Sequence, residues 1–334
     1  MTSPNHSTLT ASELSILFGS YLDDTLAICM LSYFKEHVED PDMKACVEYA
    51  LELSELHVRF DKNIFTEEGI PIPVGFTEQD VNTHAPRLYT DDFILHYVQN
   101  LGIMGLSAYS MGLPKAIRKE LRDHFTQCLQ SSAELFNRTT ELSIEKGTYV
   151  RPPSIPYPQQ NQFAHKQHFL AGWIGEQRPL TSIEISLLFM NLYRNSLGEA
   201  LLMGFAQVAQ SKKVQKYMVR GAEISHHYCS VFSKFLLEND LPAPTYGNFS
   251  PMATTEPIFS DKLLMYHTSA LINAGISFYG SSMGGSPRKD LATAYGRLIL
   301  EAGEYSEDGA KIMIDHGWME IPPSAPDREN LAKG

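Results

Sequence analysis

The residues of this chain whose spacing could do chemistry are its carboxylates and imidazoles. GxSxG, the phosphate loop GxxxxGK[ST] and HExxH are all absent. One Glu-x-x-His occurs, Glu223 with His226, a spacing that puts two metal donors on one helix face. At about 100° per residue, though, Val214, Met218, Gly221, Ile224, Tyr228, Phe232 and Phe235 form the apolar arc of that helix, and Glu223 and His226 fall opposite it. Both read as surface residues, so the usual dimetal site of a helical bundle fails in either half of the chain.

A second set points inward. Met43, Val47, Ala50, Ser54, His57, Asp61 and Ile64 share one helical face. Asp24 sits near the inward edge of the preceding helix, roughly level with His57, and His124 sits at the inward edge of a later one. Asp24, His57, Asp61 and His124 could bind a single transition-metal ion or a polar ligand. They could equally form a hydrogen-bonded core network. The sequence calls for no cofactor, and one metal ion is the alternative. Glu199 is expected inward in the second half, with His267 near it. The glycine-rich Ser282–Asp290 segment, SMGGSPRKD, follows no strand and reads as a helix–helix turn, not a phosphate site.

The helices that position these residues come in two copies. Leu9-Thr10 and Leu180-Thr181 open them at an offset of 171 residues, and Leu17-Phe18, Leu26, Phe34, Pro71 and Pro73 recur at that offset. After a one-residue slip, Leu101, Gly105, Tyr109, Arg118-Lys119 and Gly147 recur at 170. Thr10-x-x-Glu13 and Thr181-x-x-Glu184 are capping boxes that start each copy. In the first copy one helix runs to about Glu39. A second runs from Pro41 to about Glu68, a third from the cap Thr90 to near Gly112, and a fourth from Pro114 to Gly147.

Two long helices, a long connection and two more helices make the ferritin-like order. The expectation is all-α, two tandem ferritin-like four-helix bundles over residues 9–148 and 180–320, with a linker at 149–179 and a tail at 321–334. The aromatic content of the linker, Trp173 included, suggests that it packs.

Bulk composition narrows the partners. A formal charge of −12 without any basic run argues against nucleic acid and anionic membrane. The longest apolar stretch, around LAICML, is too short to span a bilayer, and MTSPNHSTLT has neither part of a signal peptide. Cys29, Cys46, Cys128 and Cys229 stand singly and read as reduced thiols. These features predict a soluble cytoplasmic protein.

The segments FKEHVEDPDMKACVEYALELSELH, EEGIPIPVGFTEQDVN, GLSAYSMGLPKAIRKELRDHF, SSAELFNR, GWIGEQRPLT and FSDKLLMYHTSALINAGISFYG resemble a domain-of-unknown-function family of endospore-forming bacilli. The resemblance spans about residues 9–328. It implies tandem ferritin-like helical domains, loosely similar in type to spore coat proteins of the coat protein F kind, and a forespore or spore setting. It brings no catalytic residues. The expected function is a non-enzymatic structural or interaction protein with a protein partner or its own copies, linked to sporulation or stress. The alternative is a metal-dependent redox or small-ligand protein using the inward cluster.

Overall fold

The computed structural model describes residues 8–165, 167–172, 177–243 and 249–333. Trp173 and most of the stretch read for a leader lie outside them. The described residues are all-α, in two tandem helical bundles related by duplication. The first copy comprises α1 (Ala11–His37), α2 (Pro41–Glu67), α3 (Asp91–Gly112) and α4 (Lys119–Glu145). The second comprises α5 (Ser182–Val208), α6 (Lys212–Leu237), α7 (Asp261–Gly285) and α8 (Lys289–Asp315). In both, the long connection falls between the second and third helices.

Two compact units arise from these elements. One holds Met1–His84, Val98–Glu141 and His316–Gly334, and the other holds Ala85–Tyr97 and Leu142–Asp315. In the first unit, Glu320 accepts hydrogen bonds from the Val74 and Gly75 amides at 3.0 and 2.9 Å. The Phe76 amide next to them donates to the Thr25 hydroxyl of α1 at 3.2 Å. Gly75 is required here: its φ is +59°, and a Cβ would lie 2.7 Å from Thr25 Oγ1. In the second unit, Tyr89 donates to the Leu201 carbonyl at 2.8 Å. Its hydroxyl fills the space that a Cβ on Gly204 would occupy, 2.2 Å away.

The helix boundaries follow the sequence signals, with one correction. Both capping boxes form, with Thr10 and Glu13 and with Thr181 and Glu184. Gly147 ends α4 in the left-handed region at φ +72°, and the Thr148 amide reaches back to the Ser143 carbonyl. Pro114, however, does not start α4. It lies in a 3-10 turn at Leu113–Lys115, Ala116 is extended, and α4 begins at Lys119.

The reason is Glu13. Its Oε1 accepts from the Ile117 and Arg118 amides, both at 2.8 Å, while its Oε2 accepts from Thr10 at 2.9 Å. One carboxylate thus closes the starts of α1 and α4. Glu184 repeats this in the second copy, holding Thr181, the Arg288 amide and the Arg178 guanidinium.

α1 is long and apolar enough, by length and composition, to cross a membrane, but most of that stretch is buried within the protein. Its Leu17 and Tyr21 pack with Val58, Phe65, Leu121 and Phe125.

Burial opposes ionisation of Glu13, yet the Arg118, Thr10 and Ile117 amides outweigh it and hold the acid below the ordinary range. At Glu184, burial is likewise outweighed, by the Arg178 guanidinium and then Thr181. A carboxyl with a lowered folded-state pKa stabilises the protein above its unfolded value of about 4.3, and that contribution is lost as pH falls through the folded value. Glu13→Gln is therefore expected to cost roughly 1.5–3 kcal/mol at pH 7 and to flatten the acid limb below about pH 4.3. Urea unfolding across pH checks both, and an acid limb identical to the parent's would contradict the assignment.

Candidate functional site

All seven residues expected on the inward face of α2 are buried, including His57 and Asp61. The structure brings His57 to Asp24, with Nδ1 3.3 Å from Oδ1. Ser20, one turn before Asp24 on α1, donates to its Oδ2 at 3.3 Å. The Tyr109 hydroxyl of α3 meets the same His57 Nδ1 at 3.0 Å. His124 stands edge-on to His57 with ring centroids 5.7 Å apart, stacks on Phe60 at 3.7 Å, and places Nε2 3.4 Å from Cys128 Sγ. The four expected residues thus gather in one interior region. Tyr109, Ser20 and Cys128 join them without having been singled out from sequence.

Asp61 is the anomaly of this region. It lies one turn beyond His57 on the same face, is 0% exposed, and has no hydrogen-bond partner within 3.5 Å of either carboxylate oxygen, Ser20 being the nearby hydroxyl. Burial first, and the Asp24 carboxylate second, push its acid well above the usual range, with Ser20 pulling the other way. Burial thus disfavours the charged form of Asp61. Burial, helped by His57, lowers the His124 imidazole to about 3, so that ring is neutral at pH 7. Among the described residues, no group of three or more His, Cys, Asp or Glu side chains is arranged to hold a metal ion.

The second copy carries the same frame with a different interior. Asn195, Tyr228 and Phe232 occupy the positions of Asp24, His57 and Asp61. Tyr279, the counterpart of Tyr109, donates to Asn195 Oδ1 at 2.9 Å, and Tyr228 donates to the Leu298 carbonyl at 2.8 Å. Tyr217 and Tyr305 each donate to the other's backbone carbonyl at 2.9 Å, with rings stacked at 4.2 Å. Gly221 and Gly309 make room for them, since a Cβ on either would lie 2.2 Å from the opposing hydroxyl.

Other expectations resolve differently. Glu199 does not point inward to His267. It is partly exposed on α5 and pairs with the exposed His226 at 3.0 Å. His267 is buried and held by the Tyr97 hydroxyl at 2.7 Å. Glu223 is exposed, as its place opposite the apolar arc requires. In the SMGGSPRKD turn, the Arg288 guanidinium is buried and paired bidentately with Asp290, at 3.1 and 2.6 Å, which commits it to the start of α8. The four cysteines are free thiols, and burial raises the Cys229 thiol to about 11, leaving it almost wholly protonated at pH 7.

Fold and interior together define an all-α protein of two duplicated bundles, one with a polar acid–imidazole interior and one with a neutral tyrosine–asparagine interior. The chain belongs to the family described as Protein of unknown function (DUF3231), which matches it twice, over residues 1–160 and 168–331. No curated protein matches the chain. Among solved structures, that of a candidate spore coat protein from Bacillus halodurans C-125 is similar at 17% identity, covering 45% of this chain and 98% of its own, with a TM-score of 0.41.

The cost of the buried acid can be measured. Asp61→Leu removes two carboxylate oxygens from a fully buried site, and the variant is expected to be more stable than the parent by on the order of 1–3 kcal/mol. Urea unfolding in the presence of chelator checks this, and a loss of stability would show that Asp61 has a structural partner.

Proposed function

We propose that this chain is a non-enzymatic helical structural or interaction protein, associated with sporulation or stress, that acts through contact with other proteins or its own copies. One observation carries the reading: the interior polar groups fasten helix to helix. Tyr217 and Tyr305 lock α6 to α8, Tyr279 joins α7 to α5, and Tyr228 joins α6 to α8. Glu13 and Glu184 each tie two helix starts together. Side chains shut from solvent and committed to a neighbouring backbone act on one another and not on a substrate. The apolar side chains left outside, such as Leu300 and Ile314 on α8 and the matching Ile144 on α4, are available to a partner.

The test combines immunoblotting of vegetative and sporulating cells of the source bacterium with sedimentation velocity on the full chain. The reading expects accumulation during sporulation and reversible association that grows with concentration. A chain that stays monomeric and is equally abundant in vegetative cells would contradict it.

A further inference from the structure

We propose that the C-terminal tail is an exchangeable strap, and that the Val74 and Gly75 amides of one chain take the Glu320 carboxylate of a second copy, joining two chains by mutual exchange. This rests on the self-association read above and names the surface that carries it. The tail after α8 belongs by sequence to the second copy, yet His316–Gly334 form part of the first unit. The tail of the first copy does the converse. It belongs to the second unit, where Pro152, Pro153 and Ile155 line a crevice with Ser182, Ile185 and Ser186 at the start of α5. Each tail is thus seated in a unit built mainly from the other copy, so the fold already works by giving tails away.

The seat for Glu320 is specific. Val74 and Gly75 present successive amides to one carboxylate at 3.0 and 2.9 Å, a backbone nest of the kind that captures anions. Gly75 shapes the nest through its φ of +59°, close against Thr25 and Tyr21 of α1, and the Phe76 amide anchors it to the Thr25 hydroxyl. Beyond the nest the strap buries little. Val74 and Met319 are exposed, and so is every residue from Ile321 to Glu329.

Release therefore costs chiefly the two hydrogen bonds to Glu320, and the same bonds re-form in the seat of a second chain. Gly317, left-handed at φ +67°, stands between α8 and the strap and is the position able to take a new chain direction. At low concentration the chain's own seat wins by proximity, and a neighbour's seat gains as the chains crowd. Two chains that each give a strap to the other close a two-fold dimer with no open end.

Two full-length variants with one added cysteine each, Val74→Cys and Ile321→Cys, should be mixed over a range of concentrations and treated with a short bis-maleimide. Sedimentation velocity on the parent runs alongside. The native thiols are buried or, at Cys229, raised to about 11, so they react slowly. A covalent link between the two variants is expected, with a yield that rises with concentration. Adding Glu320→Gln to both is expected to speed its appearance about tenfold or more, because release of the strap precedes exchange. Glu223→Cys, exposed on α6, replaces Ile321→Cys as a control and is expected to give no link. Should either added cysteine disturb the fold, Ile72→Cys with Pro322→Cys, also at exposed positions, serves as a second pair. A parent that associates while neither mixture links above the control overturns the exchange and leaves association to another surface. A parent that stays monomeric at every concentration overturns the exchange together with the association on which it rests.

Discussion

A helix start leaves four N–H groups without intrahelical partners, and in each copy one buried carboxylate answers for two such starts. Glu13 serves α1 through Thr10 and α4 through Ile117 and Arg118, and Glu184 serves α5 and α8 in the corresponding way. The rest follows from this shared cap. It fixes the start of the first helix against the start of the last and sets where the fourth helix can begin. It also sets the register at which the inward faces meet along the bundle. Arg118 and Arg288, buried beside these caps and paired with acidic neighbours, balance the charge brought inside.

On that common frame the two copies have diverged in opposite directions. The second uses mainly hydroxyls and amides, of which Tyr279, Tyr228 and Asn195 find partners on another helix or one turn away while the Tyr295 hydroxyl and Asn191 Oδ1 do not, and seats the Tyr217–Tyr305 pair on two glycines. The first keeps ionisable groups at the equivalent level, with the Asp61 carboxyl fully buried among them. Duplication explains how this is sustained: a bundle whose stability comes from end caps and apolar layers tolerates an unfavourable interior in one copy while the other stays well packed. The tail of the chain contributes to the first unit as well, since Glu320 holds the connection at Val74 and Gly75.

Much of this was legible in the sequence, for physical reasons that differ by element. The facing of His57 and Asp61 could be read because α2 alternates apolar and charged residues at helical period over its whole length. Glu199 could not be placed this way, because α5 is apolar on most sides and its periodicity does not fix an inward direction. Tyr109 went unnoticed because an aromatic residue in an apolar helix reads as core. The Ser20–Asp24 and His124–Cys128 spacings of one turn were the signal available for the others. The true start of α4 was out of reach, since it depends on a carboxylate about a hundred residues earlier, and local proline rules cannot report it.

Caps and apolar layers carry the fold, and the acid–imidazole interior of the first copy is not needed for it. Transplanting the second copy's interior into the first, by Asp24→Asn, His57→Tyr, Phe60→Val, Asp61→Phe and His124→Ala together, tests it most directly. Unfolding of this variant by urea, followed by circular dichroism, is predicted to show native helix content and a midpoint equal to or above that of the metal-free parent. A first bundle that loses its helicity or unfolds well before the parent would show that the acid–imidazole interior is itself part of what holds the fold.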